Sequence, residues 1–416
     1  MKSIFKQIIL ERQQWMQSLT LIKRQLKIEK HANYVFTGLR RAGKTFMLYQ
    51  IAKEIIERDN YEEILFINFE DERLIGVTHL ELNQLIEAYN ELFNHKPIIF
   101  LDEIQNIDYW YKFARRLADE GYRVYITGSN AEMLGNEIAS TLGGRFINKE
   151  ILPLSFAEFL DFKEVKYSYK SLYNKERYSL IKEYESYFAF GGFPELIHLS
   201  DKREYLSNVY QKLFYGDLIA RYKISNVHLL RFLVKKIAES VNNETSVNRI
   251  KNLIGSTGLS IGSNTLFDYL AYLESAFMIA TLSNFTSKFV ERETSKKYYF
   301  MDCGILTLFL FNQETKLLEN QIYIELRRRG YEIYFFKRKT EVDFYIPEKE
   351  LLIQVSYSIN DIETKQREVR ALTDAMKELS INEGLIITKN ESEEIETKYG
   401  KIKVLPAWQW LLALEG

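Results

Sequence analysis

The sequence predicts an α/β protein that opens on a parallel sheet, and three observations point there. Short apolar segments alternate with amphipathic helical stretches through the first 160 residues. The first apolar segment runs straight into Gly38-Leu39-Arg40-Arg41-Ala42-Gly43-Lys44-Thr45. A later one, Ile98-Ile99-Phe100-Leu101, ends in Asp102-Glu103.

Each element follows from its neighbours. Residues 33–37 (NYVFT) form a strand, and FMLYQIAKEIIER beyond the glycines has helical periodicity. A second strand covers 64–70, a helical stretch about 79–93, and a third strand 97–103. The helix YWYKFARRLADEG ends at Gly121, and a fourth strand spans 122–129. Buried strands separated by helices imply a parallel sheet covered on both faces.

The octapeptide fits G-x-x-x-x-G-K-[ST] where that pattern has meaning, after a strand and before a helix. Glycines let backbone N–H groups turn toward phosphate oxygens, and the helix N-terminus favours an anion. Lys44 would add charge at the β- and γ-phosphates of ATP, and the Thr45 hydroxyl would ligate Mg²⁺. Asp102 would hold the same ion through its water shell, and Glu103 would deprotonate the attacking water. Thr127-Gly128-Ser129-Asn130 ends the fourth strand, so Asn130, or alternatively Ser129, would contact the γ-phosphate. Arg145, after Gly143-Gly144, would be an arginine finger reaching a neighbouring subunit, or else an ion-pair partner within its own domain.

Composition narrows the setting. The 416 residues carry 56 Lys+Arg against 57 Asp+Glu, which excludes a wholly basic nucleic-acid coat and a strongly acidic chain. Cys303 is the single cysteine, so a disulfide within the chain and a multi-cysteine zinc site are excluded, and a reducing, cytoplasmic location is expected. The N-terminal segment is too charged for a signal peptide, and no apolar run is long enough for a membrane span.

The order of the octapeptide, LDEIQ, ITGSN, GGR and LPLSFAEFL resembles the prokaryotic AAA-type ATPases that carry a C-terminal domain of unknown function. NFEDERL (68–74), GGFPE (191–195), DLIARY (217–222), YYFMDCG (298–304) and EVDF (341–344) extend the resemblance over nearly the whole chain. It implies an AAA-type ATPase domain over 1–160, with Lys44, Thr45, Asp102 and Glu103 as its nucleotide residues and Asn130 and Arg145 beside them.

A helical lid or bridge is expected over 161–225, where Phe193 and Pro194 read as packing residues. Residues 226–302 read as three helices and a two-stranded hairpin, the winged-helix order, with Ser246 and Ser263 as helix caps. Residues 221–300 hold 11 Lys/Arg and 6 Asp/Glu, so DNA phosphates could meet Arg249, Lys251, Lys288, Lys296 and Lys297. A protein-docking role fits the apolar third helix equally well.

Residues 303–416 resemble the restriction-endonuclease-like fold. That resemblance implies Glu325 on the first helix, Asp343, and Gln354-Val355-Ser356 as the site. Ser356 stands where that fold carries a lysine, so a degenerate nuclease fold is expected unless Lys337 or Lys339 takes the role. Trp408 and Trp410 are expected to dock the C-terminal tail. Taken together, the expectation is a Mg²⁺-dependent ATPase coupled to nucleic-acid- or protein-binding domains. The alternatives are a nucleotide-gated DNA-binding switch and an ATP-regulated nuclease, and a finger acting in trans would imply a homo-oligomer.

Overall fold

The computed structural model describes residues 1–58, 60–129, 140–311 and 313–412. The chain divides into two compact units, Met1–Leu152 with Ser275–Phe277, and Pro153–Glu274 with Met278–Gly416.

The first unit is built on five parallel strands, β1 (Asn33–Thr37), β2 (Ile64–Asn68), β3 (Ile98–Asp102), β4 (Arg123–Gly128) and β5 (Phe146–Glu150). Their spatial order is β2-β3-β4-β1-β5. β1 to β4 are near-continuous apolar runs because both faces are covered, whereas β5, at the sheet edge, is largely polar and partly exposed. Leu65, Ile67, Ile99, Leu101, Val124 and Ile126 lie in one fully buried core with Phe5, Leu82 and Leu85. On the other side, Tyr34, Phe36, Phe66, Phe100 and Tyr125 stack ring on ring across the strands. An N-terminal helix, α1 (Lys2–Ser18), buries Phe5, Ile8, Ile9 and Met16, and Gln13 Nε2 donates 2.7 Å to the Ile64 carbonyl.

The β1 and β4 strands are neighbours, and β3 lies beside β4. Their carboxyl ends therefore meet at one edge, where α/β sheets bind ligands. That edge carries the glycine loop after β1, Asp102-Glu103 after β3 and Ser129 after β4.

The second unit holds a three-stranded antiparallel sheet and a six-stranded mixed sheet. Helices Val227–Ser240, Val247–Gly255 and Ser263–Ser275 precede strands Ile279–Leu282 and Ser295–Phe300, and the short strand Thr245–Ser246 completes the small sheet. Ser246 caps the second of these helices, accepting from the Arg249 N–H at 3.1 Å. Asn284 joins the two sheets, donating to the Lys337 carbonyl and accepting from its N–H, both at 3.1 Å.

The larger sheet includes Tyr334–Lys337, Glu341–Ile346, Leu351–Val355, Glu383–Thr388 and Gly400–Pro406. Helices Glu314–Arg328 and Ile362–Leu379 belong to the same unit. The strand Glu393–Thr397, absent from the sequence reading, pairs antiparallel with Gly400–Pro406. Trp408 and Trp410 are buried, and the Arg329 guanidinium lies 4.3 Å from the Trp410 ring centroid. Among the described residues no helix is long and apolar enough to cross a membrane.

Candidate functional site

The loop between β1 and the helix Lys44–Ile56 takes the backbone conformation that its glycines permit. Gly38 sits at φ +142°, and a Cβ there would lie 2.2 Å from the Ile151 carbonyl oxygen. Gly43 precedes the helix at φ +97°. Arg41 also has positive φ, 64°. From the N-terminal segment, Arg24 buttresses the loop by donating 2.8 Å to the Ala42 carbonyl and 2.9 Å to the Leu152 carbonyl. Arg40 reaches Glu70 at 3.4 Å, while Leu39 is buried. Lys44 is buried, and its Nζ donates 3.0 Å to each of the Gly38 and Leu39 carbonyls.

Asp102 is fully buried opposite this loop. Its Oδ1 accepts from Thr45 Oγ1 at 3.1 Å and from Thr127 Oγ1 at 2.5 Å, and its Oδ2 accepts from Asn68 Nδ2 at 2.9 Å. Burial, then the neighbouring Glu103 charge, pushes its carboxyl up to about 7. Glu103 follows at φ 51°, the left-handed region that costs a non-glycine residue strain. Its N–H donates 2.9 Å to Thr127 Oγ1, and its carboxylate accepts from Gln105 Nε2.

Gln105 belongs to the site and was missed by sequence reasoning. Its side-chain Oε1 is buried without a hydrogen-bond partner among the described residues. The Ser129 hydroxyl is buried and partnerless in the same sense. The signal was there in LDEIQ, whose glutamine lies two residues past the glutamate. Asn130 lies outside the described residues. Arg145 is ion-paired to Asp119, and its Nη1 lies 3.3 Å from the Gly143 carbonyl.

These residues fit a Mg²⁺-nucleoside triphosphate. The glycine cradle leaves no room for a Cβ at Gly38, and the donor set is the hard oxygens of Thr45 and Asp102. The helix N-terminus and Lys44 supply positive potential where phosphates would lie.

In the second unit the expected nuclease-like residues are rearranged. Glu325 does not face Asp343; it pairs at 3.1 Å with each of Arg328 and Arg329, one turn along its own helix. The acid that faces Asp343 is Glu319, and between them lies Lys297. Lys297 was expected to meet DNA phosphates, but it is wholly buried. Its Nζ lies 3.1 Å from Asp343, 3.3 Å from Glu319 and 2.9 Å from Glu341. Burial lowers its proton affinity, but the three carboxylates outweigh that and hold the ammonium charged. Burial and the neighbouring Asp343 push Glu319 up from the ordinary carboxylate range.

Gln354 Oε1 accepts from the Asp343 N–H at 3.2 Å while its Nε2 donates 2.8 Å to Glu368. Ser356 donates 3.0 Å to the Ser358 carbonyl. Lys337 is paired with Glu244 and Glu341, and Lys339 lines the cleft of about 940 Å³ beside Glu319 and Asp343. Of the other expected phosphate contacts, Arg249 and Lys288 are exposed, Lys251 donates 3.2 Å to the Ser263 hydroxyl, and Lys296 pairs with Glu293.

Two further motifs are structural. Gly192 N–H donates 3.0 Å to Asp302 Oδ2, and a Cβ on Gly191 would lie 2.5 Å from both Asp302 oxygens. GGFPE and MDCG are therefore two halves of one contact, with Phe193 buried beneath it.

Residues 30–160 match the AAA domain family, and residues 181–316 match a domain of unknown function. An uncharacterized protein from Methanocaldococcus jannaschii is 36 % identical over 99 % of this chain and 96 % of its own. One from Haemophilus influenzae is 29 % identical over 88 % and 92 %. A solved Walker-type ATPase from Pyrococcus abyssi is 14 % identical, covering 73 % of this chain and 94 % of its own, at TM-score 0.39. That likeness is too loose to carry an argument. The chain belongs to one family with the Methanocaldococcus protein, and within it residues 30–160 are an AAA domain with a P-loop.

Proposed function

We propose that the first unit binds ATP with Mg²⁺ and hydrolyses it. The observation that carries this reading is the hydrogen bond from Thr45 to Asp102, which joins the phosphate loop to the acidic strand end. Backbone N–H groups of residues 39–45 cradle the phosphates, and Lys44 exchanges its loop carbonyls for phosphate oxygens. Thr45 and Asp102 hold Mg²⁺, which when bound neutralises charge at the β- and γ-oxygens. Glu103 accepts the proton of the attacking water, and Gln105 orients that carboxylate. Ser129, whose buried hydroxyl has no partner among the described residues, meets the γ-phosphate, and Arg145 acts on a neighbouring copy after leaving Asp119.

Turnover is coupled to rearrangement of the second unit. The helix–strand–helix–helix–strand–helix–strand order of residues 227–300, in which the short helix Phe289–Thr294 joins the two hairpin strands, supports a winged helix that binds DNA or a protein. The test is Glu103→Gln: ATP binding by calorimetry is retained and single-turnover hydrolysis falls by about 10²-fold or more. Normal turnover in that variant removes Glu103 as the base.

A second reading, phosphodiester cleavage in the C-terminal cleft, is favoured by one observation. Lys297 supplies, beside Asp343, the cation that Ser356 does not. Plasmid nicked in Mn²⁺ by the native chain and not by Asp343→Ala supports it, and plasmid left intact removes it.

A further inference from the structure

Residues 165–178 concentrate aromatic rings and positive charge on one exposed segment. They hold Tyr167, Tyr169, Tyr173 and Tyr178, four cations (Lys166, Lys170, Lys175 and Arg177), and a single acid, Glu176. All four cations are exposed. Tyr169, Tyr173 and Tyr178 are 71 %, 60 % and 63 % exposed, although tyrosine ordinarily buries much of its ring.

The segment is nonetheless anchored. Tyr169–Leu172 is a single tight helical turn that buries Ser171 and Leu172 and turns the tyrosines outward. The Ser171 Oγ accepts from the Ser168 N–H at 3.0 Å and donates to Glu176, which occupies the one acid. Gln409 Nε2 donates 3.0 Å to the Tyr173 hydroxyl. The Tyr169 and Tyr173 rings lie 5.2 Å apart at 59°. A base sandwiched between two rings needs roughly 7 Å, two van der Waals contacts, so each ring offers its outer face instead. The Arg177 guanidinium lies 5.1 Å from the Tyr178 centroid, a second flat cationic platform.

We infer that this segment is a binding surface for an unpaired polynucleotide. Tyr169, Tyr173 and Tyr178 stack on bases, and Lys166, Lys170, Lys175 and Arg177 meet the phosphates. Exposed rings interleaved with cations suit a strand whose bases are free to stack, whereas a duplex hides its base faces. An acidic protein would use the charge and leave the rings unexplained. The inference goes beyond nucleotide hydrolysis and is tested without ATP.

Fluorescence anisotropy with the full chain compares labelled dT and rU 20-mers, a 20-bp duplex, and polyglutamate as competitor. Both single strands bind, the duplex binds more weakly, and polyglutamate competes poorly. Tyr169→Ala with Tyr173→Ala weakens single-strand binding by about ten-fold or more. Tyr169→Phe, which keeps the ring, binds as the native chain does, and Lys170→Ala flattens the salt dependence. The proposal is overturned by unchanged single-strand affinity in a folded Tyr169→Ala, Tyr173→Ala chain, by an equal loss of duplex affinity in that chain, by polyglutamate competing as well as oligonucleotide, or by no single-strand binding at low salt.

Discussion

Thr45 Oγ1 donates to Asp102 Oδ1 at 3.1 Å, although 57 positions separate the two residues. The loop after β1 and the end of β3 are thus held in register by the protein's own groups. Such pre-organisation reserves binding energy for the reaction.

If this pair holds Mg²⁺, Thr45→Ala lowers Mg²⁺-dependent ATP turnover by more than about ten-fold, and Thr45→Ser restores most of it because the hydroxyl returns. A magnesium titration of ATPase rate measures both. An unchanged titration in Thr45→Ala assigns the hydroxyl to packing alone.

Gly38→Ala tests the cradle without touching a charged group. The φ of +142° and the 2.2 Å approach to the Ile151 carbonyl leave a methyl no place. A strained φ alone costs about 1–3 kcal/mol, so the variant melts several degrees lower and binds ATP weakly. Thermal unfolding followed by circular dichroism, with and without Mg²⁺-ATP, gives both numbers.

The candidate nucleotide site is legible in the sequence because its parts are local. Gly38–Thr45 and Asp102-Glu103 each fall within one strand-to-helix junction, where spacing alone sets geometry. The C-terminal cleft is not, because its parts come from three separate elements. Lys297 reads as one more cation in a basic hairpin, and only the packing of its strand against Asp343, 46 positions away, shows it buried. Glu319 and Glu325 share a helix, and six positions place them on different faces, so which acid points to the sheet depends on how the helix is rotated. Gln105 was overlooked for a different reason: beside two carboxylates it carries no charge, and its role shows only as a hydrogen bond to Glu103.

Lys297→Met removes the cation from among Glu319, Glu341 and Asp343. Breaking a buried pair by deleting one partner costs about 3–5 kcal/mol, because the remaining charges stay buried. Glu319 and Glu341, which Lys297 otherwise holds down, are then pushed to higher pKa than in the native chain. A carboxyl raised in the folded state adds stability below its unfolded pKa and loses it as pH climbs through the folded value. The variant's deficit is therefore smaller at pH 5 than at pH 8, and urea unfolding at the two pH values reads it. Glu319→Gln in the same chain recovers part of the loss at pH 8.

Asp302 gives a second pH-dependent term. Burial pushes its carboxyl up to about 6, against the lowering effect of the Gly192, Ile305 and Gly304 N–H groups. Its stabilising contribution is complete below about pH 4, the unfolded value, and is lost as pH rises through 6. Asp302→Asn removes that slope. It also turns an amide N–H₂ toward backbone donors, at a cost of about 1–3 kcal/mol. Denaturant unfolding between pH 4 and 7 shows a less stable and flatter variant. A slope equal to the native one assigns the titration elsewhere.

Arg145 separates two roles by mixing. Its guanidinium is ion-paired to Asp119 in the single chain. A partly exposed pair of this kind contributes about 0–1 kcal/mol, so Asp119→Ala should leave folding and turnover close to native. A finger acting on a neighbouring copy behaves differently. Arg145→Ala then lowers kcat by about 10³-fold or more with ATP affinity unchanged. Glu103→Gln is inactive for another reason, since it keeps the finger and lacks the base. In a mixture of the two variants, a copy with intact Glu103 can be served by a neighbour's intact Arg145. ATPase rate recovered on mixing, and rising with protein concentration, establishes a composite site between copies. Arg145→Ala turning over normally by itself leaves the arginine as Asp119's partner and nothing more.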